Sequence, residues 1–428
     1  MNRSSEVPRV ALDTVGCKLN QAETQFLARQ FAKAGYRLVS ADDAADVYIL
    51  NTCTVTHVAD GKCRQRLRLA HRRNPDGVVV AIGCYAERAR QELAQVEGVD
   101  LVLGNSEKPD LLCRLEESGR LCRPGYSQVG SAIVALRTRA FIKVHDGCDS
   151  SCAYCIVPLV RGGEKSVPVD QVVGEVRQRA AEGDREVVLT GTKVGLYRDD
   201  GVNLAGLLQR ILAETDIERL RLSSLQPREI SPELIGLWRD KRLCRHFHLS
   251  LQSGSDGVLR RMRRGYAAGG YLGAVALIRD VVPGVAITTD VIVGFPGETE
   301  AEFAESYELC REIGFARIHV FPYSPRQGTQ AALMPERVGE GVKRERSQRL
   351  LALAQESAQG FRQKFLGKTM AVLWERLAGG VWTGLTDNYI RVCAESGEDL
   401  ANKLLPARLT EIKGDGVWGN LLPGKIGL

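Results

Sequence analysis

Three cysteines with short, fixed spacing lie in the middle of the chain. Cys148, Cys152 and Cys155 form a C-x3-C-x2-C motif, and Tyr154 directly precedes the third cysteine. A structural zinc site needs a fourth ligand, and the residues that follow offer no Cys, His or carboxylate at a matching distance. Three thiolates instead suit a four-iron cluster in which one iron stays open to a substrate. We therefore predict an iron–sulfur cluster on these cysteines.

Three further cysteines each follow a predicted strand near the start of the chain. The strands are apolar runs bounded by polar residues or glycine, at Val10–Thr14, Val47–Asn51 and Val78–Ile82. The cysteines that follow them are Cys17, Cys53 and Cys84. Helical periodicity at Ala22–Ala34 and Gly61–Arg73 alternates with these strands, which predicts an α/β fold with a doubly wound parallel sheet.

The N-terminal cysteines are expected to converge on one point. The carboxyl ends of parallel strands open on one edge of the sheet, where ligands bind. We interpret Cys17, Cys53 and Cys84 as ligands of a second cluster. Simple burial is the alternative, because free cysteine is among the most buried residue types. Burial suffices for the cysteines that stand alone, which are Cys113, Cys122, Cys244, Cys310 and Cys393. Cys63 falls in a predicted helix and receives no role.

The middle of the chain alternates strands with helices around the central motif. About six βα units predict a parallel, partly open barrel whose loops at the strand carboxyl ends form the site. The predicted strands are Ile133–Leu136, Phe141–Val144, Glu186–Thr190, Arg219–Ser224, Phe247–Leu251, Ala286–Val293 and Arg317–Phe321. The predicted helices are Val169–Glu182, Leu204–Glu214, Ser255–Arg264 and Glu300–Ile313.

Polar residues at successive strand ends predict a pocket for a zwitterionic nucleoside. An ordinary βα turn explains any one of them, but together they favour a ligand. These residues are Thr190, Gly191, Ser223, Gln252 and Gly294, with Tyr154 beside the adenine. Four histidines in or beside strands are interpreted as core or pocket-wall residues without a catalytic role: His145, His246, His248 and His319.

The C-terminal part changes to short strands separated by turns. The predicted strands are Thr369–Arg376, Val381–Leu385, Tyr389–Cys393 and Leu405–Ile412. Some sixty residues of this kind suit a small antiparallel β-barrel. Such barrels often bind RNA, although the architecture alone does not require it.

The composition is that of a soluble globular protein of two or three domains. The chain has 428 residues, 44% of them hydrophobic and 26% charged, and a net charge of +6. No apolar run could cross a membrane and the start lacks an apolar signal core, so we expect a cytoplasmic protein. Twelve cysteines then indicate metal–sulfur chemistry rather than disulfides. Basic clusters at 62–73 and 260–264 stay open between a solvated face and an RNA contact.

In combination, the motifs resemble those of the radical S-adenosylmethionine (SAM) methylthiotransferases, nearly from end to end. The matching segments are Gly16–Glu23, Asn51–Cys53, Gly83–Tyr85, Tyr154–Pro158 with Arg161-Gly162, Gln252–Ser255 with Met262, and Asp290–Thr299. The resemblance implies an N-terminal domain at 8–120, a radical SAM domain at 134–365 and a TRAM-like RNA-binding barrel at 367–428. The run after Arg161-Gly162, Gly163–Ser166, is less basic than is typical of the family.

The resemblance also implies cofactors and chemistry. Cys148, Cys152 and Cys155 would hold a radical [4Fe-4S] cluster, and Cys17, Cys53 and Cys84 an auxiliary one. One SAM molecule would supply the methyl group and a second the radical, so that a methylthio group replaces a hydrogen on carbon. An external one-electron donor, such as flavodoxin or ferredoxin, is expected.

Within the family, several segments resemble the branch that modifies N6-threonylcarbamoyladenosine at tRNA position 37, in the anticodon stem-loop. They are Cys17–Asn20, Asn51–Thr56, Arg221–Ser224 and His248–Gln252. The alternatives are the isopentenyladenosine branch, the branch that modifies an aspartate of a ribosomal protein and, from another class, an iron–sulfur redox sensor that binds RNA. The oligomeric state is not predicted.

Overall fold

The N-terminal part is a five-stranded parallel sheet with helices on both faces. A computed structural model describes residues 7–122 and 138–424 of the chain. The strands are β1 (Arg9–Thr14), β2 (Arg37–Val39), β3 (Val47–Thr52), β4 (Val78–Gly83) and β5 (Leu101–Leu103). The helices are α1 (Lys18–Lys33), α2 (His57–Arg73), α3 (Cys84–Arg88), α4 (Arg90–Ala94) and α5 (Leu111–Glu117). The strand order is β2-β1-β3-β4-β5, so the predicted doubly wound sheet is confirmed.

The helix α1 begins four residues earlier than predicted. It starts at Lys18, directly after Cys17, so Lys18 and Asn20 occupy its first turn. Apolar clusters cover both faces of the sheet, one around Phe31 and Ile49 and the other around Leu50 and Leu67. These two cores fix the strands and leave the carboxyl ends of β1, β3 and β4 open at one edge.

The middle part is a partial barrel of six parallel strand positions. Its main strands are β6 (Arg139–Asp146), β8 (Glu186–Gly191), β11 (Arg219–Leu222) continued by β12 (Ser224–Leu225), β13 (His246–Leu249), β14 (Ala286–Val293) and β15 (Arg317–Pro322). The pairing breaks at Ser223, which separates the neighbours β11-β8-β6 from β12-β13-β14-β15. The predicted open barrel is therefore confirmed, except that the strand predicted at 133–136 lies outside the described residues.

Helices and short strands complete the barrel. The helices are α6 (Val157–Arg161), α7 (Val169–Ala181), α8 (Leu204–Glu214), α9 (Pro232–Gly236), α10 (Asp256–Arg261), α11 (Ala268–Val281), α12 (Glu300–Ile313) and α13 (Glu340–Gln363). The short strands are β7 (Lys165–Ser166), β9 (Arg198–Asp199) and β10 (Val202–Asn203). The helix predicted to reach Arg264 ends at Arg261, because Arg263 adopts a positive φ of 56°.

The C-terminal part is a closed five-stranded barrel. Its strands are β16 (Thr369–Ala378), β17 (Val381–Thr386), β18 (Arg391–Glu395), β19 (Leu404–Lys413) and β20 (Gly416–Leu421). All neighbours pair antiparallel except β18 and β20, which close the barrel in parallel. The predicted small barrel is confirmed, although β20 was not predicted. Strand β18 begins at Arg391 rather than Tyr389, because Tyr389 has a φ of 67°.

No described helix combines the length and the apolar character that crossing a bilayer requires. The three domain ranges, 8–120, 134–365 and 367–428, stay predictions, and parts of them lie outside the described residues.

Candidate active site

Both cysteine triplets line one cavity of about 580 Å³. The sheet edge of the N-terminal part faces the mouth of the partial barrel, and a loop of the C-terminal barrel adds Tyr389 to the wall. Cys84 packs against Ile156 and Val160, which follow the central motif directly, so the two triplets are neighbours. The cysteines of this cavity are Cys17, Cys53, Cys84, Cys148, Cys152 and Cys155.

The N-terminal triplet lies on the loops that leave β1, β3 and β4. Gly16 has a φ of 109°, and a Cβ atom there would lie 2.5 Å from Cβ and 2.7 Å from Sγ of Cys53. Only glycine therefore lets the first cysteine loop approach the second. Burial, with smaller contributions from Cys17 and Cys84, raises the pKa of Cys53 to about 12. A bound metal cluster would have to displace these thiol protons.

The central triplet occupies the loop between β6 and α6. The backbone N–H of Ser150 donates to Sγ of Cys148 at 3.4 Å, and Nη1 of Arg264 lies 3.3 Å from Sγ of Cys152. Burial raises the pKa of Cys155 to about 12. Arg264, which the sequence placed in an undecided basic cluster, is thus a positive charge beside a cysteine, where a thiolate needs one.

The sulfur spacing favours a cluster over a single metal ion. Thiolates on one tetrahedral zinc ion lie roughly 3.8 Å apart, given Zn–S bonds of about 2.3 Å. Over residues 7–122 and 138–424, the one group whose ligand atoms all lie within 4.8 Å of one another is His248, Asp290 and His319. Neither cysteine triplet meets that distance, so the sulfur atoms are not gathered closely enough for one tetrahedral ion.

Five of the six predicted pocket residues line the cavity: Tyr154, Thr190, Gly191, Ser223 and Gln252. Gly294 is not in the lining. Its N–H donates to Glu298 at 2.6 Å, and its Cα faces the side chain of Lys343, outside the cavity. The turn after β14 therefore folds back onto α13 instead of opening on the site.

Three lining residues carry buried polar atoms that have no hydrogen-bond partner among residues 7–122 and 138–424. They are Oγ of Ser223, Oε1 of Glu229 and Nδ1 of His246. Unsatisfied buried polar atoms are uncommon in proteins and cost free energy. Burial also raises the pKa of Glu229. These residues fit a polar ligand such as SAM, which carries an ammonium, a carboxylate and ribose hydroxyls.

Known protein families match the N-terminal and the central parts of the chain. The N-terminal part, residues 9–104, matches the "Uncharacterized protein family UPF0004", and residues 142–310 match the Radical SAM superfamily. The threonylcarbamoyladenosine tRNA methylthiotransferase MtaB of Bacillus subtilis is 37% identical over 420 residues, which cover 94% of this chain and 93% of that protein. The chain belongs to the radical SAM methylthiotransferase family. As a member of the family it is an enzyme that uses SAM and a [4Fe-4S] cluster.

A second relative of this methylthiotransferase bears a different substrate name. The tRNA-2-methylthio-N(6)-dimethylallyladenosine synthase of Moorella thermoacetica is 35% identical over 438 residues, 96% of this chain and 97% of that protein. Among solved structures, the radical SAM methyltransferase TsrM from Kitasatospora setae aligns with a TM-score of 0.56 at 16% identity, over 76% of this chain and 77% of that one. That likeness supports the fold alone.

Hydrogen bonds between charged side chains join the N-terminal part of the methylthiotransferase to the partial barrel, close to the cysteine loops. Arg161, at the end of α6, donates to Glu23 at 2.9 Å and to Asp146 at 2.8 Å. Lys108 also pairs with Glu23, at 2.5 Å. Burial tends to raise the pKa of Glu23, but Lys108 and Arg161 outweigh it and hold that pKa far below its ordinary value.

Sequence reasoning missed Tyr389 and Lys18. The Tyr389 ring stacks on His246 at 4.4 Å, and the ammonium of Lys18 lies 5.9 Å from its centre. The loop that carries Tyr389 is anchored on the partial barrel, where Arg245 donates to Asp387 at 2.6 Å. A tyrosine after an Asp-Asn turn gives no signal that it reaches a site in another domain. Lys18 adjoins Cys17, and that position alone was a usable signal.

The structure confirms the interpretation of three histidines and two lone cysteines, and it contradicts the interpretation of two other cysteines. His246, His248 and His319 line the cavity, as the pocket-wall interpretation expected. Cys244 and Cys310 are buried as predicted. The prediction that Cys113 and Cys122 are buried was wrong. Both are exposed, because they lie at or beyond the outer edge of the N-terminal core.

Proposed function

We propose that this enzyme converts N6-threonylcarbamoyladenosine at tRNA position 37 to its 2-methylthio derivative. The observation that carries the proposal is the placement of two cysteine triplets on the walls of one cavity. A single radical cluster would need one triplet. A reaction that both generates a radical and inserts sulfur has a use for two clusters that face the same substrate.

We assign the radical [4Fe-4S] cluster to Cys148, Cys152 and Cys155, and an auxiliary [4Fe-4S] cluster to Cys17, Cys53 and Cys84. When bound, the radical cluster and SAM supply an adenosyl radical that abstracts hydrogen from carbon, the auxiliary cluster supplies sulfur, and a second SAM supplies the methyl group. The chain itself positions these groups: Arg264 places positive charge beside Cys152, at 3.3 Å. Glycine at position 16 lets the loop of Cys17 approach Cys53.

We place SAM against Tyr154, Thr190, Gly191, Ser223 and Gln252. These residues come from the cysteine loop and from successive strand ends of the partial barrel, and all line the cavity. The unpartnered hydroxyl of Ser223 and carboxyl oxygen of Glu229 offer an acceptor or donor to the ligand. Gly294 is not part of this proposal.

The tRNA partner follows from the relatives, whose names describe tRNA-modifying enzymes. We propose that the anticodon stem-loop enters between the N-terminal sheet edge and the C-terminal barrel. That barrel would act as a TRAM-like RNA-binding domain. A flavodoxin or ferredoxin would deliver the electron, and the reaction would take place in the cytoplasm.

The substrate separates this proposal from its alternatives. The dimethylallyladenosine reaction has support from the Moorella relative, which is nearly as similar as the Bacillus one. No relative named above modifies a ribosomal protein, and a redox sensor has no use for two clusters in one cavity.

Mass spectrometry of tRNA nucleosides from cells with and without the gene tests the proposal. Deletion should remove 2-methylthio-N6-threonylcarbamoyladenosine and leave the unmethylthiolated nucleoside in its place. Complementation with the wild-type gene, but not with Cys152→Ala, should restore it. Loss of a methylthio-isopentenyladenosine signal instead would contradict the proposed substrate and favour the alternative.

A further inference from the structure

Two cationic side chains, one half-buried and one exposed, line the inner end of the cavity. Lys18, the first residue of α1, and Arg317, the first residue of β15, both line the cavity. Within the described chain, neither the Lys18 ammonium nor the Arg317 guanidinium makes a hydrogen bond or ion pair with another residue.

The other charges at this end are already compensated. Arg139 pairs with Glu375 at 2.6 Å, and Arg221 pairs with Glu186 at 2.7 Å. Asp290 is held by Nε2 of His248 at 3.1 Å. His246 and His319 are neutral near pH 7, because burial lowers the pKa of each below its ordinary value. Among the described residues, Lys18 and Arg317 therefore face the single carboxylate of Asp290, and this end of the cavity carries a net positive charge.

Strand geometry gathers these groups into one place. Arg317 and His319 alternate with outward residues on β15, so both point to the same side of the strand and line the cavity. The ligand atoms of His319, Asp290 and His248 lie within 4.8 Å of one another. Tyr389 closes the wall behind Lys18, with its ring centre 5.9 Å from the ammonium.

We propose that this inner end of the cavity is a carboxylate-binding subsite in which Lys18 and Arg317 hold the carboxylate of the threonylcarbamoyl group. The inference rests on the proposed function, since that modification ends in a free carboxylate. Its ureido N–H and hydroxyl groups can also donate hydrogen bonds to Asp290. The subsite thus selects the modification already present on the adenosine before the methylthio group is added.

A hydrocarbon modification does not suit this subsite. A dimethylallyl group would place apolar atoms against the half-buried Lys18 and Asp290 and against the exposed Arg317, and a site that loses its polar partners in this way disfavours such a ligand. A divalent metal on His248, Asp290 and His319 does not suit it either. Both ring nitrogens of His248 are engaged, Nδ1 with Thr288 at 3.0 Å and Nε2 with Asp290, and the nearby cations repel a metal ion.

The test compares two anticodon stem-loops that differ only in this carboxylate. One carries N6-threonylcarbamoyladenosine and the other carries its neutral methyl ester. The reconstituted wild-type enzyme should prefer the acid over the ester in kcat/KM by on the order of tenfold or more, as expected for a charge-assisted hydrogen bond. Lys18→Met and Arg317→Met should each lower kcat/KM for the acid by a similar factor, change the ester little and so abolish the preference.

Controls separate the subsite from general damage. Lys241→Met, an exposed lysine outside the cavity lining, should keep the full preference. Because Lys18 adjoins a cysteine ligand, iron content is measured for every variant. Arg317 lies on a strand that carries none of the six cysteines. If Lys18→Met loses iron, the preference of Arg317→Met for acid over ester therefore decides whether the subsite binds the carboxylate.

Three outcomes would overturn the proposal: equal use of acid and ester by the wild type, an unchanged preference in Arg317→Met, or a preference that EDTA removes and Mg²⁺ restores. A wild-type enzyme that ignores both stem-loops but methylthiolates one carrying dimethylallyladenosine would instead refute the proposed function on which the subsite rests.

Discussion

Nη2 of Arg161 donates a hydrogen bond to Oδ1 of Asn20 at 2.6 Å, and this contact joins the supports of the two cysteine triplets. Nδ2 of Asn20 in turn donates to the carbonyls of Val15 and Thr52, both at 3.0 Å. Thr52 directly precedes Cys53, Val15 lies two residues before the first cysteine, and Arg161 follows the central motif on α6. One buried side chain of the barrel therefore fixes the loops that hold the N-terminal cysteines.

Replacement of Arg161 by methionine should destabilise the protein strongly. The change leaves the buried carboxylate of Glu23 short of one cation and removes the guanidinium donor to Oδ1 of Asn20. We expect the free energy of unfolding to fall by about 3 kcal/mol, as for other broken buried ion pairs. Urea denaturation of the cluster-free protein measures it. Arg177→Met, at the exposed ion pair with Glu214, is the control and should change little. Equal effects in the two variants would contradict a central role for Arg161.

The iron content should distinguish ligands from bystanders among the N-terminal cysteines. Anaerobically reconstituted wild-type protein should hold about eight irons, if each triplet binds a four-iron cluster. Cys53→Ala should reduce this to about four and stop sulfur insertion while sparing SAM cleavage. Cys152→Ala should abolish SAM cleavage.

Cys63→Ala is the matched control for Cys53→Ala. Cys63 is buried and its Sγ donates to the carbonyl of Cys53 at 3.6 Å, yet it does not line the cavity. Its replacement should keep about eight irons by iron and sulfide analysis. A loss of about four irons in this variant would show that the assigned triplet is incomplete.

Stability should depend on pH through Glu186. This carboxyl is fully buried; burial raises its pKa, but Arg221 and Arg139 outweigh that effect and lower the pKa from 4.5 to about 2. A depressed pKa stabilises the folded state above the ordinary pKa, and the contribution is lost as the pH falls from about 4.5 toward about 2. The difference in free energy of unfolding between wild type and Glu186→Gln should thus shrink by about 1.4 kcal/mol per pH unit in that window.

Urea titrations at several pH values between 3 and 7 measure this difference. Glu97→Gln, an exposed substitution, should stay close to wild type throughout. A difference for Glu186→Gln that is the same at pH 3 and pH 6 would rule out the stabilising role of the Glu186–Arg221 pair.

Removal of the Tyr389 side chain should impair catalysis without unfolding the barrel. Because its φ of 67° lies in the left-handed region, glycine replaces it without backbone strain. Tyr389→Gly should lower kcat/KM for the tRNA substrate by roughly tenfold, since a misplaced substrate costs rate steeply. Thermal unfolding should change little, and Tyr389→Phe, which keeps the ring on His246, should retain most activity. Wild-type activity in Tyr389→Gly would reduce this residue to a structural contact.

Much of the fold was accessible from the sequence, because strand and helix periodicity is a local property. The strands at Ala286–Val293 and the helices at Leu204–Glu214 and Glu300–Ile313 have the predicted bounds. The three-residue edge strand β2 was missed, since few residues carry its pattern, and β20 of the closed barrel was missed as well. Gly294 was placed in the pocket because turns at strand ends look alike in sequence, and only packing against Lys343 shows that this one points away.

The sequence by itself determined the chemistry of the centre. Six cysteines at the ends of predicted parallel strands and in one tight motif specify thiolate ligands, and the rule that such strands share an edge predicts that they meet. Only the tertiary structure decided what surrounds them. Lys18, Arg317 and Tyr389 come from three different parts of the chain, and whether a charge among them is paired depends on which groups packing brings within reach. Burial and charge compensation are properties of the assembled cavity, and no local pattern in the sequence encodes them.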